Sequence, residues 1–586
     1  MKTFIITNRN TLLLAVLAIL LSFTSCQEYL DVEPQDQLNS DQVYRDVFDA
    51  DAAIIGTYGK FMQLAEKYVL LNELRADLMA TTRNSDPEMI ALSEHSVTAD
   101  NRFANPKDFY EVIQNCNDNL KNFDIMLAEK KFTQTEYNQR YADIGTLRSW
   151  IYLQLGIHYG SVPYITEPIE NLDDVRDASK YERIPFEELI DELVAFTEGL
   201  AYTSPYSSDS SLVISVDGYD TAKFFINKEC LLGDLHLWDN NYTQAAIHYK
   251  NVMETGTMSG NDSDRFDTYR VKFAEVATNN DLAVGYLRFR EQDRLALIDN
   301  NVQGWRSIFA RDRDVLWNTE WIWSLPFDSN FAPKNPFIDL FSNRGGEYLV
   351  KPSQRAIDLW EDQNQRNGFP YDARGKRFTY KIIDGDEVIM KYIYKFLDPV
   401  SQSPIDLFQT DGDWFLYRAA KLHLRYAEAA NRDNQSRIAD ALLNFGIQSE
   451  YTVPGVTDKT DIEQTFQPFP YNFDARNGDF PRFRADWHRN GGIRGRAYVE
   501  RAEVLGDSVI SIENNLIEEA ALELAYEGNR WGDLVRIALR RNDPSFLADR
   551  IYEKLNAEGS SQAGAVRTKL MVRENWYLPF VWNEEE

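Results

Sequence analysis

The stretch Glu519-Ala520-Ala521-Leu522-Glu523-Leu524-Ala525-Tyr526-Glu527-Gly528-Asn529-Arg530-Trp531-Gly532-Asp533-Leu534-Val535-Arg536 sets the terms for the rest of the chain. Apolar residues recur here at helical spacing and predict a helix from Ile517 to Leu539. Glu527, Arg530, Asp533 and Arg536 follow one another with alternating sign, so successive members can pair along that helix. Trp531 and Leu534 share the neighbouring apolar stripe. Gly528 lowers helix propensity, and close packing is the reason to keep it. The cluster reads as scaffold, not as a ligand site.

Helical period extends outward from this stretch. It recurs over Asp41–Phe61, Asp108–Ala128, Tyr137–Tyr159, Pro185–Leu200, Ala222–Trp238, Tyr242–Met253, Trp414–Ala430 and Arg437–Phe445. Ile226 to Ser259 spans the ~34-residue period of a tetratricopeptide unit. Leu232-Gly233 stand where a first helix crosses a second, and Tyr242, Ala245, Tyr249 and Val252 supply the second. His236 replaces the usual tyrosine. Trp414–Phe445 and the pair Tyr137–Tyr159 with Pro185–Leu200 read as further copies; about three are needed to bury a continuous core. Between these lie long aperiodic segments, 81–107, 201–220, 255–413 and 448–511. Arg377–Ile383 and Val388–Phe396 read as strands of a hairpin. Long loops in a compact chain are usually functional.

Composition narrows the classes. Hydrophobic residues make up 44% of the 586, enough for a large core. The net charge of −30 argues against a nucleic-acid partner, which needs a basic surface. Three cysteines cannot build a disulfide framework. Lys2 and Arg9 precede the apolar run Leu12–Leu21, the pattern of a secretory signal peptide and too short to span a bilayer. Ser22-Phe23-Thr24-Ser25-Cys26 then resembles a bacterial lipobox, which makes Cys26 the expected lipid attachment site. Multiple acyl chains anchor firmly where one is marginal. Cys116 and Cys230 remain as buried thiols or as a pair.

Four ordered motifs resemble the SusD/RagB nutrient-binding lipoproteins of Bacteroidetes. They are Cys26-Gln27-Glu28-Tyr29-Leu30-Asp31 with Asp49–Tyr58, the helix Leu147–Tyr159 closing in Gly160-Ser161-Val162-Pro163, Tyr417–Ala429 with its centre Tyr426-Ala427-Glu428-Ala429, and Glu519–Arg536. The resemblance implies a mostly α, SusD-like fold with tetratricopeptide-like helix hairpins, long irregular loops and a few short strands. It divides the chain into a signal peptide (1–25), a SusD-like N-terminal region (26–220), a tetratricopeptide-like hairpin (221–260), a loop-rich ligand-binding region with short strands (261–413) and a SusD/RagB C-terminal helical region (414–586). It also implies a surface-exposed, lipid-anchored protein of the outer membrane. That protein would capture an oligosaccharide and deliver it to a TonB-dependent SusC-like barrel, acting as its lid. A peptide is the rival ligand. A surface glycan hydrolase and a helical-repeat adaptor are the rival classes.

No enzyme and no cofactor is expected. The six histidines form no His-Glu-x-x-His helix, and no Cys-x-x-Cys, Gly-x-Ser-x-Gly or Walker loop occurs. The resemblance places ligand contacts on loops beside the scaffold, which marks Asp77, Arg83, Asn84 and Asn101. An aromatic cluster, Trp305, Trp317, Trp321 and Trp323 with Phe309, Phe327 and Phe331, offers flat faces for sugar rings. Trp321 and Trp323 alternate as on a half-buried strand and read as core. Trp305, beside Gly304 and Arg306, reads as exposed, so Trp305 and Arg306 join the candidates. Arg476, Arg482, Arg484, Arg489, Arg494, Arg496 and Arg501 form a basic run whose simplest role is internal pairing with carboxylates. Asn261, Asp262, Asp264 and Asp267 lack the ligand order of a calcium loop.

Overall fold

The computed structural model describes residues 43–171, 180–201, 206, 210–216, 219–253, 304–310, 320–366, 368–376, 378–451, 465, 467–473 and 492–582. The signal peptide, Cys26, Trp317, the acidic group at 261–267 and the arginines at 476–489 lie outside these residues.

Helix α1 (Val47–Met62) starts where the Asp46 carboxylate accepts from the backbone N–H groups of Phe48 and Asp49. That cap fixes its start inside the stretch read as helical from Asp41. Ala50, Ile54, Tyr58 and Phe61 form its buried face, at the predicted spacing. Next come α2 (Lys107–Ala128) and α3 (Gln134–Tyr159), the latter begun by a reciprocal Thr133–Glu136 capping box. From Gln139 onward α3 is buried almost all round, so it runs through the centre of the molecule. The next pair of helices is α4 (Phe186–Gly199) and α5 (Lys228–Trp238). Then come α6 (Tyr242–Met253), α7 (Ala419–Arg432) and α8 (Ser436–Leu443). Each helix from α2 to α8 packs on the next in this order. The three helix pairs read from the sequence are therefore α3 with α4, α5 with α6, and α7 with α8. Small residues sit at the crossings as expected. A Cβ on Gly233 would collide with the Tyr249 ring, and one on Gly156 with the Phe186 ring.

Two helical readings are corrected. Trp414–Arg418 is not helix. It belongs to a strand, Gly412–Arg418, paired antiparallel with Trp321–Phe327. Trp414-Phe415-Leu416-Tyr417 is buried on both faces, and a short continuous apolar run does not distinguish strand from helix. Trp321 and Trp323 are strand and core, as read, but the strand is buried on both sides. The second correction concerns Ile517–Leu539, which is two helices, α9 (Ser508–Leu524) and α10 (Arg530–Arg541). The break has a cause. The buried Glu73 carboxylate accepts from the backbone N–H groups of Tyr526 (3.2 Å), Gly528 (2.7 Å) and Asn529 (2.9 Å). These amides face a carboxylate brought from far along the chain instead of helical carbonyls. Tyr526 and Gly528 both adopt positive φ. Gly528 is needed twice over, because a Cβ there would also enter the Tyr68 ring. Two further helices, α11 (Ser545–Ala557) and α12 (Ala563–Leu570), pack beside α10 in turn.

The predicted hairpin exists in shorter form, Tyr380–Ile383 paired with Asp386–Ile389. Asp384 and Gly385 take positive φ at its tip, the two-residue Asp-Gly turn that matches strand twist. Helices and strands meet at Phe61. Its ring stacks on Trp323 (5.6 Å) and Trp414 (5.0 Å) and meets Trp150 edge-on (5.3 Å). One hydrophobic cluster draws on residues from Tyr44 to Leu578. Cys116 and Cys230 are buried free thiols, and burial pushes Cys116 up to about 12. Among the described residues no helix is long and apolar enough to cross a membrane.

Candidate ligand surface

The scaffold stretch at 519–536 does more than fill space. Lys391, Arg374, Arg418, Arg494 and Arg496 face Asp372, Glu320, Glu519, Glu523 and Glu527 in a buried lattice. Arg374 donates to Glu519 and Glu523 at 2.6 Å each. Arg418 donates to Glu320 (2.7 Å), Glu523 (2.8 Å) and Glu527 (2.8 Å). Arg496 reaches Glu320 (3.0 Å) and Glu523 (2.5 Å). Burial would raise Glu523, but Arg496, Arg418 and Arg374 outweigh it and hold the carboxyl well below its usual range. Burial pushes Glu320 the other way, up to about 8, with the Glu523 charge adding to it against Arg418. The expectation of pairing along one helix is corrected here. Only Asp533 and Arg536 pair within the helix (3.1 Å), while Glu527 and Arg530 bond to other segments. Arg494, Arg496 and Arg501 are paired internally, as read, the last with Asp440 and Glu450.

Burial absorbs three of the candidate site residues. Asp77 is fully buried and accepts from Arg530 (2.6 and 2.8 Å) and Arg355 (2.9 Å). Burial would raise its pKa, yet Arg530 and Arg355 hold it well below the carboxylate range. Trp305, expected exposed, is fully buried, with the Lys391 ammonium 5.3 Å and the Arg418 guanidinium 5.5 Å from its ring. Arg306 is buried beside it, over the Tyr394 ring at 4.8 Å. The flanking Gly304 and Arg306 suggested exposure because local polarity does not reveal a buried charge lattice.

Arg83 and Asn84 fare differently. They sit on the turn after Met79–Thr81, a strand paired with Val350–Pro352. Thr82 and Ser85 tie that turn to the carbonyls of Tyr348 and Leu349. Asn84 donates to the Glu347 carbonyl (2.8 Å). Arg83, its side chain 68% exposed, forks onto Asp386 at 2.9 and 3.1 Å. A second fork lies on the same hairpin, Arg344 on Asp384 at 2.9 Å twice. Asn343 bridges the two, donating to Asp386 (3.2 Å) and to the Ile383 carbonyl (2.7 Å). Asn101 is buried below. It accepts from Phe103 N–H and donates to the Glu88 carbonyl, on the helix that Asp86 caps next to this turn.

Sequence reasoning named Phe331 in its aromatic cluster but missed the rest of the apolar half of this surface. Arg344 also donates to the Ser401 carbonyl (2.9 Å), and Gly345 abuts Leu407 and Pro404. The loop these residues belong to presents Val400, Ile405, Leu407 and Phe408, the last 86% exposed. Phe331 is exposed on the adjoining loop, which Ser329 ties to Asp411 (2.7 Å). Several large apolar side chains exposed on one loop make it a candidate interaction surface. The available signal was the pairing of large apolar residues with Pro404, Asp406 and Asp411 in a segment without period. The surface therefore offers forked donors and acceptors beside an exposed aromatic face. A separate hollow of about 820 Å³ lies among α2, α3 and α4. Its Arg148 already donates to Asn117 (2.7 Å) and the Thr166 carbonyl (3.0 Å).

Residues 360–584, which include the buried lattice apart from Glu320 and both helices of the broken motif, match the SusD family. No curated protein matches the chain. Solved structures extend the likeness to the fold of most of the molecule. A SusD superfamily protein from Bacteroides vulgatus aligns with a TM-score of 0.56 at 14% identity, covering 91% of this chain and 95% of its own. Surface glycan-binding protein A from Bacteroides uniformis gives 0.53 at 15% identity, with 91% and 95% covered. A SusD-like carbohydrate-binding protein from Bacteroides fragilis gives 0.52 at 15%, with 85% and 87% covered. The fold is the SusD-like one: mostly α, with a few short strands.

Proposed function

We propose that the protein is a cell-surface lipoprotein that captures an oligosaccharide and delivers it to a TonB-dependent SusC-like barrel, acting as the barrel's lid. The SusD-family match of residues 360–584 carries this reading. Relatives of the same fold described as glycan- and carbohydrate-binding support a sugar as the ligand class. In this reading Cys26 bears the lipid. Arg83 and Asn84 touch the ligand, joined by Arg344, Asp384 and Phe408. Arginine forks and an amide suit vicinal hydroxyls, and an aromatic face suits the apolar face of a sugar ring. Asp77, Asn101, Trp305 and Arg306 hold the surface from beneath. Binding involves no covalent step, and closure against a second protein adds contacts to a modest intrinsic affinity.

Calorimetric titration of the purified protein with a panel of oligosaccharides and peptides tests the ligand. Saturable binding of one glycan class, recovered without new reducing ends, is expected. Turnover of the bound glycan, or binding of peptides alone, would overturn it. Affinity capture from detergent-solubilised outer membranes should bring down a large β-barrel. Cys26→Ser should release the protein from the membrane fraction.

A further inference from the structure

The α5–α6 hairpin carries a second cluster of polar side chains, remote in role from the ligand surface. His236 lies in the last turn of α5, and His248 lies on α6. The two imidazole rings stack nearly parallel, with centroids 5.2 Å apart and planes at 7°. Glu198, in the last turn of α4 and 50% exposed, meets His236 Nε2 at 3.0 Å. His248 Nδ1 meets Glu229 at 2.8 Å. One ring nitrogen from each histidine and one Glu198 oxygen all lie within 4.8 Å of one another.

Two features separate this cluster from an ordinary surface pair. First, Glu229 is held in place on both sides, because Asn251 Nδ2 donates to the same oxygen at 3.0 Å. A carboxylate oxygen accepts, so His248 Nδ1 is the donor to Glu229. That leaves the His248 Nε2 lone pair free, the tautomer of a metal-ligating histidine oriented by a carboxylate. Second, His236 is 3% exposed and its Nδ1 has no hydrogen-bond partner. With Nε2 facing Glu198, each neutral tautomer leaves one ring nitrogen without a complementary partner, an unusual cost for a buried polar group.

We propose that Glu198, His236 and His248 form a binding site for a divalent transition-metal ion of the zinc type, with Glu229 orienting His248. Two imidazoles and a carboxylate are a common zinc donor set, and water completes a tetrahedron. Bonds of ~2.0–2.1 Å require the donors to draw together, and the half-exposed Glu198 has the freedom to swing inward. The ion joins the end of α4 to the α5–α6 hairpin and so clasps one helix pair of the stack to the next. Imidazole in place of the tyrosine usual at position 236 then has a chemical reason.

The test uses purified, untagged protein stripped with EDTA, then titrated with ZnCl2 and CoCl2. One Zn2+ per chain, with a dissociation constant on the order of 1 μM or tighter, is expected. Bound Co2+ should show the strong visible absorption of a tetrahedral site. His248→Gln and Glu198→Gln should each lose at least a hundredfold in affinity. Glu229→Gln keeps all three ligands and should lose ~10–100-fold. Zn2+ should raise the melting temperature of the wild type and not of Glu198→Gln, a half-exposed change that leaves the fold intact by circular dichroism. Absence of stoichiometric binding to the wild type, or equal affinity in folded variants, overturns the proposal.

Discussion

Arg418 and Arg83 both fork onto carboxylates, yet they do opposite work. Arg418 is 1% exposed and contacts three glutamates from two distant segments, while Arg83 is 68% exposed and contacts one aspartate on a separate hairpin. In the buried lattice every charge has been stripped of water, so each is held only by its partners, and losing one strands the others. On the loop surface water screens the pair, which contributes little to stability and can exchange its partner for a ligand. The same side-chain chemistry thus serves as keystone in one place and, in the proposed function, as recognition surface in the other. The deciding variable is hydration.

The largest expected effect breaks the buried side. Arg418→Met should destabilise by about 3–5 kcal/mol in chemical denaturation, because Glu320, Glu523 and Glu527 remain buried without their shared cation. Gly528→Ala should cost about 1–3 kcal/mol, since the new methyl displaces Tyr68 and strains a positive φ. A destabilisation below about 0.5 kcal/mol would show that the helix break tolerates more than its geometry suggests.

Asp77→Asn sharpens the comparison through pH. The Asp77 pKa is depressed in the fold, so its stabilisation is complete above the unfolded value near 4 and fades as pH falls toward the folded value. The stability gap between wild type and Asp77→Asn should therefore shrink by about 1.4 kcal/mol per pH unit below about pH 4. A gap independent of pH would assign Asp77 a role other than that of a paired carboxylate. At the exposed end, Arg83→Ala should leave the denaturation midpoint unchanged while weakening glycan binding at least tenfold. Phe408→Ala should act likewise, with a severalfold loss of affinity. A shifted midpoint in either variant would move that residue from the recognition surface to the scaffold.

Much of the helical frame was legible because burial imprints a period on sequence. Ala50, Ile54 and Tyr58 repeat at the interval of a helix face, and Gly233 and Tyr249 mark a crossing that only a small residue permits. The hairpin was legible in outline from Arg377–Ile383 and Val388–Phe396, while its Asp384-Gly385 turn and shorter strands emerged from the structure. Trp414–Tyr417 was ambiguous for a stated reason: burial on both faces erases the alternation that identifies a strand. The candidate surface was half legible. Arg83 and Asn84 follow from their place after the scaffold, but Phe408 comes from a segment with no period to read.

The chain's order of residues was sufficient to mark most of the segments that coil, the glycine at the α5–α6 crossing and the repeat of helix pairs, because these depend on neighbours within a few turns. What lies across hundreds of positions was decided only on folding. Glu73 reaches Gly528 and thereby splits one apparent helix into two, and Asp77 reaches Arg530 and thereby becomes a buried partner instead of a ligand contact. Local sequence records what a residue is. Its loss of water, which sets what an ionised group can do, depends on everything that closes over it.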